Sequence, residues 1–187
     1  MEDTLLIDQL VQQNTAAFKV LFDTYAKMVY NTCLNFLQVQ EDAEEVTQDV
    51  FMEINAQIHH FEGKSSLKTW IYRIACNKSL EHLRKAKRKK RFAFFVSVDD
   101  HEVQGDLLID HPGIEAENLD KATLIQKELH GLAENQRTAF TLYHMEGLTY
   151  KEISEIMDLS LSSVESLMFR AKTNLKKKLS TLNLISS

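Results

Sequence analysis

From Ala16 to Leu37 the apolar positions Phe18, Leu21, Phe22, Tyr25, Val29, Cys33, Phe36 and Leu37 recur every three or four residues. That spacing predicts an amphipathic helix with one face in a core. After a break at Gln38 to Gln40, a narrower stripe of Ala43, Val46, Thr47, Val50, Ile54 and Ile58 predicts a second helix. Gly63 interrupts the pattern, and Ser65 or Ser66 is placed to cap a third helix that buries Leu67, Ile71, Ile74 and Leu83. Helical spacing resumes near Leu119: Ala122, Ile125, Leu129 and Leu132 share one face, and Ala139, Phe140, Leu142 and Tyr143 support the next helix. No stretch alternates as a strand does between turn residues, so the fold class is all-α.

The densest local signals lie near the C-terminus. Gly147 suits the position just past a helix end. Thr149 and Glu152 make a T-x-x-E capping box, with Leu148 and Ile153 as its hydrophobic staple. The helix they start, Tyr150 to Met157, is short and buries Ile153 and Ile156. The turn Asp158-Leu159-Ser160 follows, and Ser160 caps a longer helix to about Leu179, with Leu159 and Val164 as a second staple. Ser162 with Glu165 is a competing capping box for that start. A short helix, a three-residue turn and a long helix ending in cations have the form of a helix-turn-helix, and also that of a plain helical hairpin.

Charge divides the chain further. The whole sequence nets −5, yet Gly63 to Arg91 carries eleven Lys/Arg against the single acid Glu81. Cations gathered this densely in an acidic protein mark a face for a polyanion such as DNA or RNA, although a solvated basic helix has the same composition. Trp70 and Tyr72 lie among them, and an aromatic beside phosphate-binding cations is suited to stack on an unpaired base. Glu41 to Glu53 holds six acids and no cation. Asp42, Glu45, Asp49 and Glu53 share a face that is a candidate protein-docking surface, expected to be separate from the basic one. Ser97 to Asp120 has eight acids, no Lys or Arg, and the only proline, Pro112, which reads as a linker.

Several function classes recede. The two cysteines, Cys33 and Cys76, sit inside helical patterns with no ligand spacing and are expected to be reduced core residues. The histidines form no metal-type pair, so no metal, cofactor or catalytic constellation is expected. No apolar run approaches membrane-spanning length, and the N-terminus MEDTLLIDQL is acidic, so a cytoplasmic location without membrane insertion is expected.

Two long passages resemble a known family. Asp42-Ala43-Glu44-Glu45-Val46-x-Gln48-Asp49-x-Phe51, Phe61-x-Gly63, Ser66-Leu67-Lys68-Thr69-Trp70-Ile71-Tyr72-Arg73-Ile74-Ala75-x-Asn77 and Leu83-Arg84-Lys85 look like region 2 of sigma-70 family sigma factors, closest to the extracytoplasmic-function (ECF) group. Glu134-Asn135-Gln136-Arg137, Gly147 through Ile153, and Ser163-Val164-x-Ser166-x-x-x-Arg170-Ala171-Lys172-x-x-Leu175 look like region 4 of the same group.

The resemblance implies two helical domains, residues 1–96 and 119–187, joined by an acidic linker at 97–118. It implies a non-enzymatic subunit that binds core RNA polymerase through Asp42, Glu45, Gln48, Asp49 and Phe51. The promoter −10 element would be read and opened by Lys64, Ser65, Ser66, Lys68, Thr69, Trp70, Arg73, Asn77, Lys78 and Arg84. The −35 element would be read by Lys151, Ser160, Ser162, Ser163, Ser166, Arg170 and Lys172. Promoter DNA, core polymerase and an anti-sigma protein are the implied partners, and the linker would thread the polymerase cleft. Glu165 and Leu167 stand where many relatives carry DNA-reaching cations; an acid there is suited instead to accept from a cytosine amino group. An autonomous helix-turn-helix regulator accounts equally well for Thr149 to Leu179, but not for the second, basic and aromatic face in the N-terminal half.

Overall fold

In a computed structural model, the structure describes residues 2–96, 128–129 and 131–181. The acidic stretch 97–120 and the apolar positions Ala122 and Ile125 lie outside the described residues, as do the side chains of Phe92, Phe94 and Phe95. Every regular element among the described residues is helical: α1 (Glu2–Val11), α2 (Thr15–Leu37), α3 (Gln40–Gln57), a 3₁₀ turn (Ile58–His60), α4 (Leu67–Val96), α5 (Glu134–His144), α6 (Tyr150–Met157) and α7 (Leu161–Thr181). None of these helices is long and apolar enough to cross a membrane. Contacts divide the chain into two compact units, residues 1–106 and 107–187.

In the first unit α2, α3 and α4 each pack against the other two. Leu21, Val29 and Phe36 of α2, Val46, Val50 and Ile54 of α3, and Leu67, Ile71 and Ala75 of α4 close a core almost free of solvent. Cys33 and Cys76 are both buried and reduced. Asn14 starts α2, its Oδ1 accepting from the amides of Ala16 at 2.9 Å and Ala17 at 3.2 Å. Gln38 ends it in the left-handed region, φ 60° and ψ 13°, and its amide donates to the Leu34 carbonyl at 2.8 Å. Val39 offers α3 no side-chain cap, so Glu41 and Asp42 in the first turn are what meets the helix dipole. Of the two serines before α4, Ser66 is the cap: its Oγ accepts from the Thr69 amide at 3.0 Å. Leu80 takes a buried place on α4, while Leu83 is only half-buried.

In the second unit α5 and α6 both pack on α7. Ala139 and Leu142, Ile153 and Ile156, and Val164, Met168, Ala171 and Leu175 meet there, with Leu129 and Leu132 closing one end. Gln136 Oε1 accepts from Asn174 Nδ2 at 3.0 Å, tying α5 to α7 at the surface. The local signals at both ends of α6 are present. Gly147 takes φ 67°. Thr149 Oγ1 accepts from the Glu152 amide at 3.3 Å while Glu152 Oε2 accepts from the Thr149 amide at 2.8 Å. Both residues of the first staple, Leu148 and Ile153, are buried. Asp158 adopts φ 54° and ψ 48°, a left-handed turn that Asp tolerates better than most residues. Ser160 Oγ then accepts from the Ser163 amide at 3.2 Å, which resolves the competing starts of α7 in favour of Ser160.

Candidate nucleic-acid interface

The basic segment folds as the continuous helix α4, and a helix distributes its charges by angle. At about 100° per residue, positions 70, 73, 77, 81, 84 and 88 form one stripe, and positions 78, 82, 85 and 89 form another. The first stripe carries Trp70, Arg73, Asn77, Glu81, Arg84 and Arg88, with Glu81 Oε1 2.9 Å from Lys85 Nζ. Asn77, Arg84 and Arg88 are exposed, and Arg73 and Trp70 are half-buried. Trp70 is steadied by Phe61, ring centroids 5.3 Å apart and planes at 56°. The loop ahead of it, Gly63 to Ser66, turns through a positive φ of 69° at Gly63 and delivers Ser66 to its cap. Thr69 is buried, its hydroxyl 2.9 Å from that of Ser66, so it shapes the turn and is not offered outward. Lys64 pairs with Glu62, whose hydrogen bond holds the ammonium pKa above and the carboxyl pKa below their ordinary values. Lys68 leaves the stripe, its Nζ 5.8 Å from the centre of the Tyr72 ring.

The second stripe does not face solvent alone. The helices α3 and α4 run antiparallel, and the acidic flank of α3 lies along Lys78, His82, Lys85 and Lys89. Lys78 Nζ lies 2.7 Å from Glu53 Oε2, with side-chain exposures of only 26 % and 29 %. His82 Nε2 is 3.4 Å from Asp42 Oδ2. Between the two helices runs a groove of about 220 Å³ whose walls include Glu45, Asp49, Lys78, His82, Lys85 and Lys89. This corrects the expectation of separate acidic and basic faces, because Asp42, Asp49 and Glu53 occupy the flank of α3 nearest α4, with Glu45 at the outer edge of the same groove. Lys78, expected on the nucleic-acid face, turns its ammonium to Glu53. That hydrogen bond raises its pKa first of all, over an opposing desolvation, with Glu53, Glu81 and Asp49 adding attraction.

What α3 offers outward is a mixed face of Glu41, Glu45, Gln48 and Met52, the last 70 % exposed. Sequence reasoning passed over Met52, which the helical period places half a turn from the buried stripe. Phe51 is buried, in ring contact with Phe22 at 4.7 Å and Phe18 at 6.4 Å, and belongs to the core instead of the docking face.

In the second unit α7 buries Val164, Met168, Ala171 and Leu175. The opposite face therefore presents Ser162, Ser166, Phe169, Arg170 and Thr173, all exposed. Arg170 Nε donates to its own helix at the Ser166 carbonyl, 3.1 Å away. The Ser160 hydroxyl lies 3.1 Å from that of Ser162 and 2.8 Å from that of Ser163, so this trio is occupied with the helix start. Lys151 is exposed on α6. Lys172 projects to another side, its Nζ 5.6 Å from the centre of the Tyr143 ring, so it does not share a face with Arg170. The structure thus brings together Ser162, Ser166 and Arg170, and adds Phe169, whose 72 % exposure no sequence period required.

Comparison with known proteins gives these two surfaces their context. Residues 21–89 match the family model described as Sigma-70 region 2, and residues 122–175 match Sigma-70, region 4. The chain is 29 % identical over 185 residues to the ECF RNA polymerase sigma-E factor of Haemophilus influenzae, covering 97 % of each. Among solved structures it is similar to CnrH in complex with the cytosolic domain of CnrY, with a TM-score of 0.67 and 20 % identity over 97 % of this chain and 99 % of that one. It is also similar to the sigma factor RpoE in complex with the anti-sigma factor NepR from Bartonella quintana, with a TM-score of 0.64 and 22 % identity over 87 % and 96 %. The likeness to these structures establishes the fold, and the two family matches fall on the two units that carry the basic stripe and the helix-turn-helix. The chain belongs to the sigma-70 family of transcription-initiation factors, in its extracytoplasmic-function group.

Proposed function

We propose that this chain docks on core RNA polymerase, directs it to promoters through −35 and −10 elements, and opens the duplex at the latter. The observation that carries this reading is the exposed stripe of α4. The guanidinium-bearing positions Arg73, Arg84 and Arg88 stand in line with Trp70, while on the neighbouring stripe Lys78 is turned toward Glu53 of α3 and Lys85 pairs with Glu81 of its own helix. Phosphate contacts along the stripe hold the strand, and Trp70 with the Lys64 to Ser66 loop takes bases released from their pairs. Unstacking a base costs a few kcal/mol, which stacking on an aromatic offsets by about 1–3 kcal/mol per base. The outward face of α3, Gln48 with Glu45 and Met52, meets the polymerase. Residues 1–96 and 119–187 act as the two domains and 97–118 as the acidic tether between them. The chain hydrolyses no nucleotide and needs no cofactor. RpoE was solved with an anti-sigma factor, which supports an anti-sigma protein as the restraining partner here, and CnrH was solved with the cytosolic domain of CnrY, which supports a cytoplasmic site of action.

Permanganate reactivity of unpaired thymines on promoter fragments tests this. Reactive thymines are expected only when core polymerase and this chain are present together. Opening by the chain alone, or none with both across a genomic fragment set, would reject the reading.

A further inference from the structure

The N-terminal half of α7 is unusual for a surface meant to hold DNA, because up to Arg170 its outward residues include no cation. Leu161, Ser162, Glu165, Ser166 and Phe169 are exposed there. Among the described residues no cation pairs with Glu165. Phe169, one turn further on, is 72 % exposed. A carboxylate and an apolar ring are both poor ligands for phosphate. Each has a complementary group on the floor of the major groove.

Only two amino groups point into that groove, N4 of cytosine and N6 of adenine. The adenine amino group is flanked by the N7 acceptor, which repels a carboxylate, so cytosine is the favoured partner. The apolar feature of the same groove is the C5 methyl of thymine. Residues four apart on a helix are separated by about 6 Å along its axis, and base pairs by about 3.4 Å. One pair of side chains therefore spans neighbouring base pairs.

We propose that Glu165 and Phe169 are specificity-determining residues of this chain: Glu165 accepts from the amino group of one cytosine, and Phe169 rests on the methyl of a nearby thymine. The proposal rests on the reading of the second unit as the −35 reader. In it, α7 reads base edges with its first two turns, while Lys151 and Arg170 hold the phosphates on either side.

The test selects promoter fragments randomised across the upstream element, using holoenzyme assembled from core polymerase and the full chain. Wild type is expected to enrich C at one position, by about tenfold over the other bases. Glu165→Ala flattens that position alone, and Glu165→Gln moves its preference toward adenine, whose N6 and N7 suit an amide. Replacing thymine by deoxyuridine at one position weakens wild type several-fold and leaves Phe169→Ala unaffected. A Glu165→Ala profile identical to wild type overturns the proposal, as does tighter binding to all fragments alike, which marks Glu165 as a mere repulsive charge. Indifference of wild type to every uridine overturns the Phe169 half. A wild-type holoenzyme that selects no upstream sequence fails earlier, and rejects the −35 reading itself.

Discussion

Replacing Lys78 by Met separates two roles for one residue. The sequence puts Lys78 among the cations of a nucleic-acid face, whereas the structure engages it with Glu53 at 2.7 Å across the α3–α4 contact. Both side chains are roughly three-quarters covered, at 26 % and 29 % exposure. Exposed pairs contribute about 0–1 kcal/mol, and breaking one partner of a fully buried pair costs about 3–5 kcal/mol. An intermediate loss of about 1–2 kcal/mol is therefore expected for Lys78→Met. Glu53→Gln is expected to cost a similar amount, and the double variant less than the two together, because neither charge is then left alone.

The bond raises the Lys78 pKa above its ordinary value. A raised lysine contributes stability that is fully present below its unfolded pKa of about 10.4 and is lost as pH rises through the folded value. The stability difference between wild type and Lys78→Met should thus be constant at neutral pH and shrink above that point. Trp70 is the only tryptophan, so its fluorescence during urea unfolding follows the first unit within the intact chain. The same variant should leave the salt dependence of promoter binding unchanged, whereas loss of one phosphate contact lowers the slope by about 0.9. A lowered slope with unchanged stability would refute a structural role for the Lys78–Glu53 pair and return Lys78 to the DNA.

Arg84→Ala and Arg73→Ala lie on the exposed stripe, and each is expected to lower the salt slope of holoenzyme binding by about 0.7–0.9 and to weaken promoter opening. Thr149→Ala removes the reciprocal cap of α6 and should cost about 1 kcal/mol, read as faster amide exchange across α6 and α7. Asp158→Gly relieves a left-handed backbone at an exposed residue and should raise the stability of the second unit by about 0.5–1 kcal/mol in the same exchange experiment; a loss would show that the Asp158 side chain supports the turn.

Local interactions were the legible part of this fold. The Thr149–Glu152 box and the Ser160 cap each join residues three apart, and the turn at Asp158 closes on Ser154 four residues back, so spacing and side-chain chemistry suffice to place them. The buried stripes of α2 to α4 follow in the same way from the helical period, except that Phe22 of α2 is 44 % exposed and Leu83 of α4 is only half-buried. Helix α1 lies outside what the sequence pattern singles out, since Glu2–Val11 is only 10 residues long. Contacts between helices were harder to read. Lys78 and Glu53 are far apart in sequence, and only the antiparallel packing of α3 on α4 makes them neighbours. That packing is also why acids and cations expected on separate faces share a groove. Phe51 lies near the edge of the apolar stripe of α3, where the period leaves either outcome open, and Phe18 and Phe22 draw it inward.

Run-off transcription measures most directly whether the two DNA-facing surfaces serve a polymerase. Core RNA polymerase on genomic fragments should yield discrete new transcripts when the wild-type chain is added, and few with a chain carrying both Arg73→Ala and Arg84→Ala. The same transcripts at the same level with and without the chain would contradict the account.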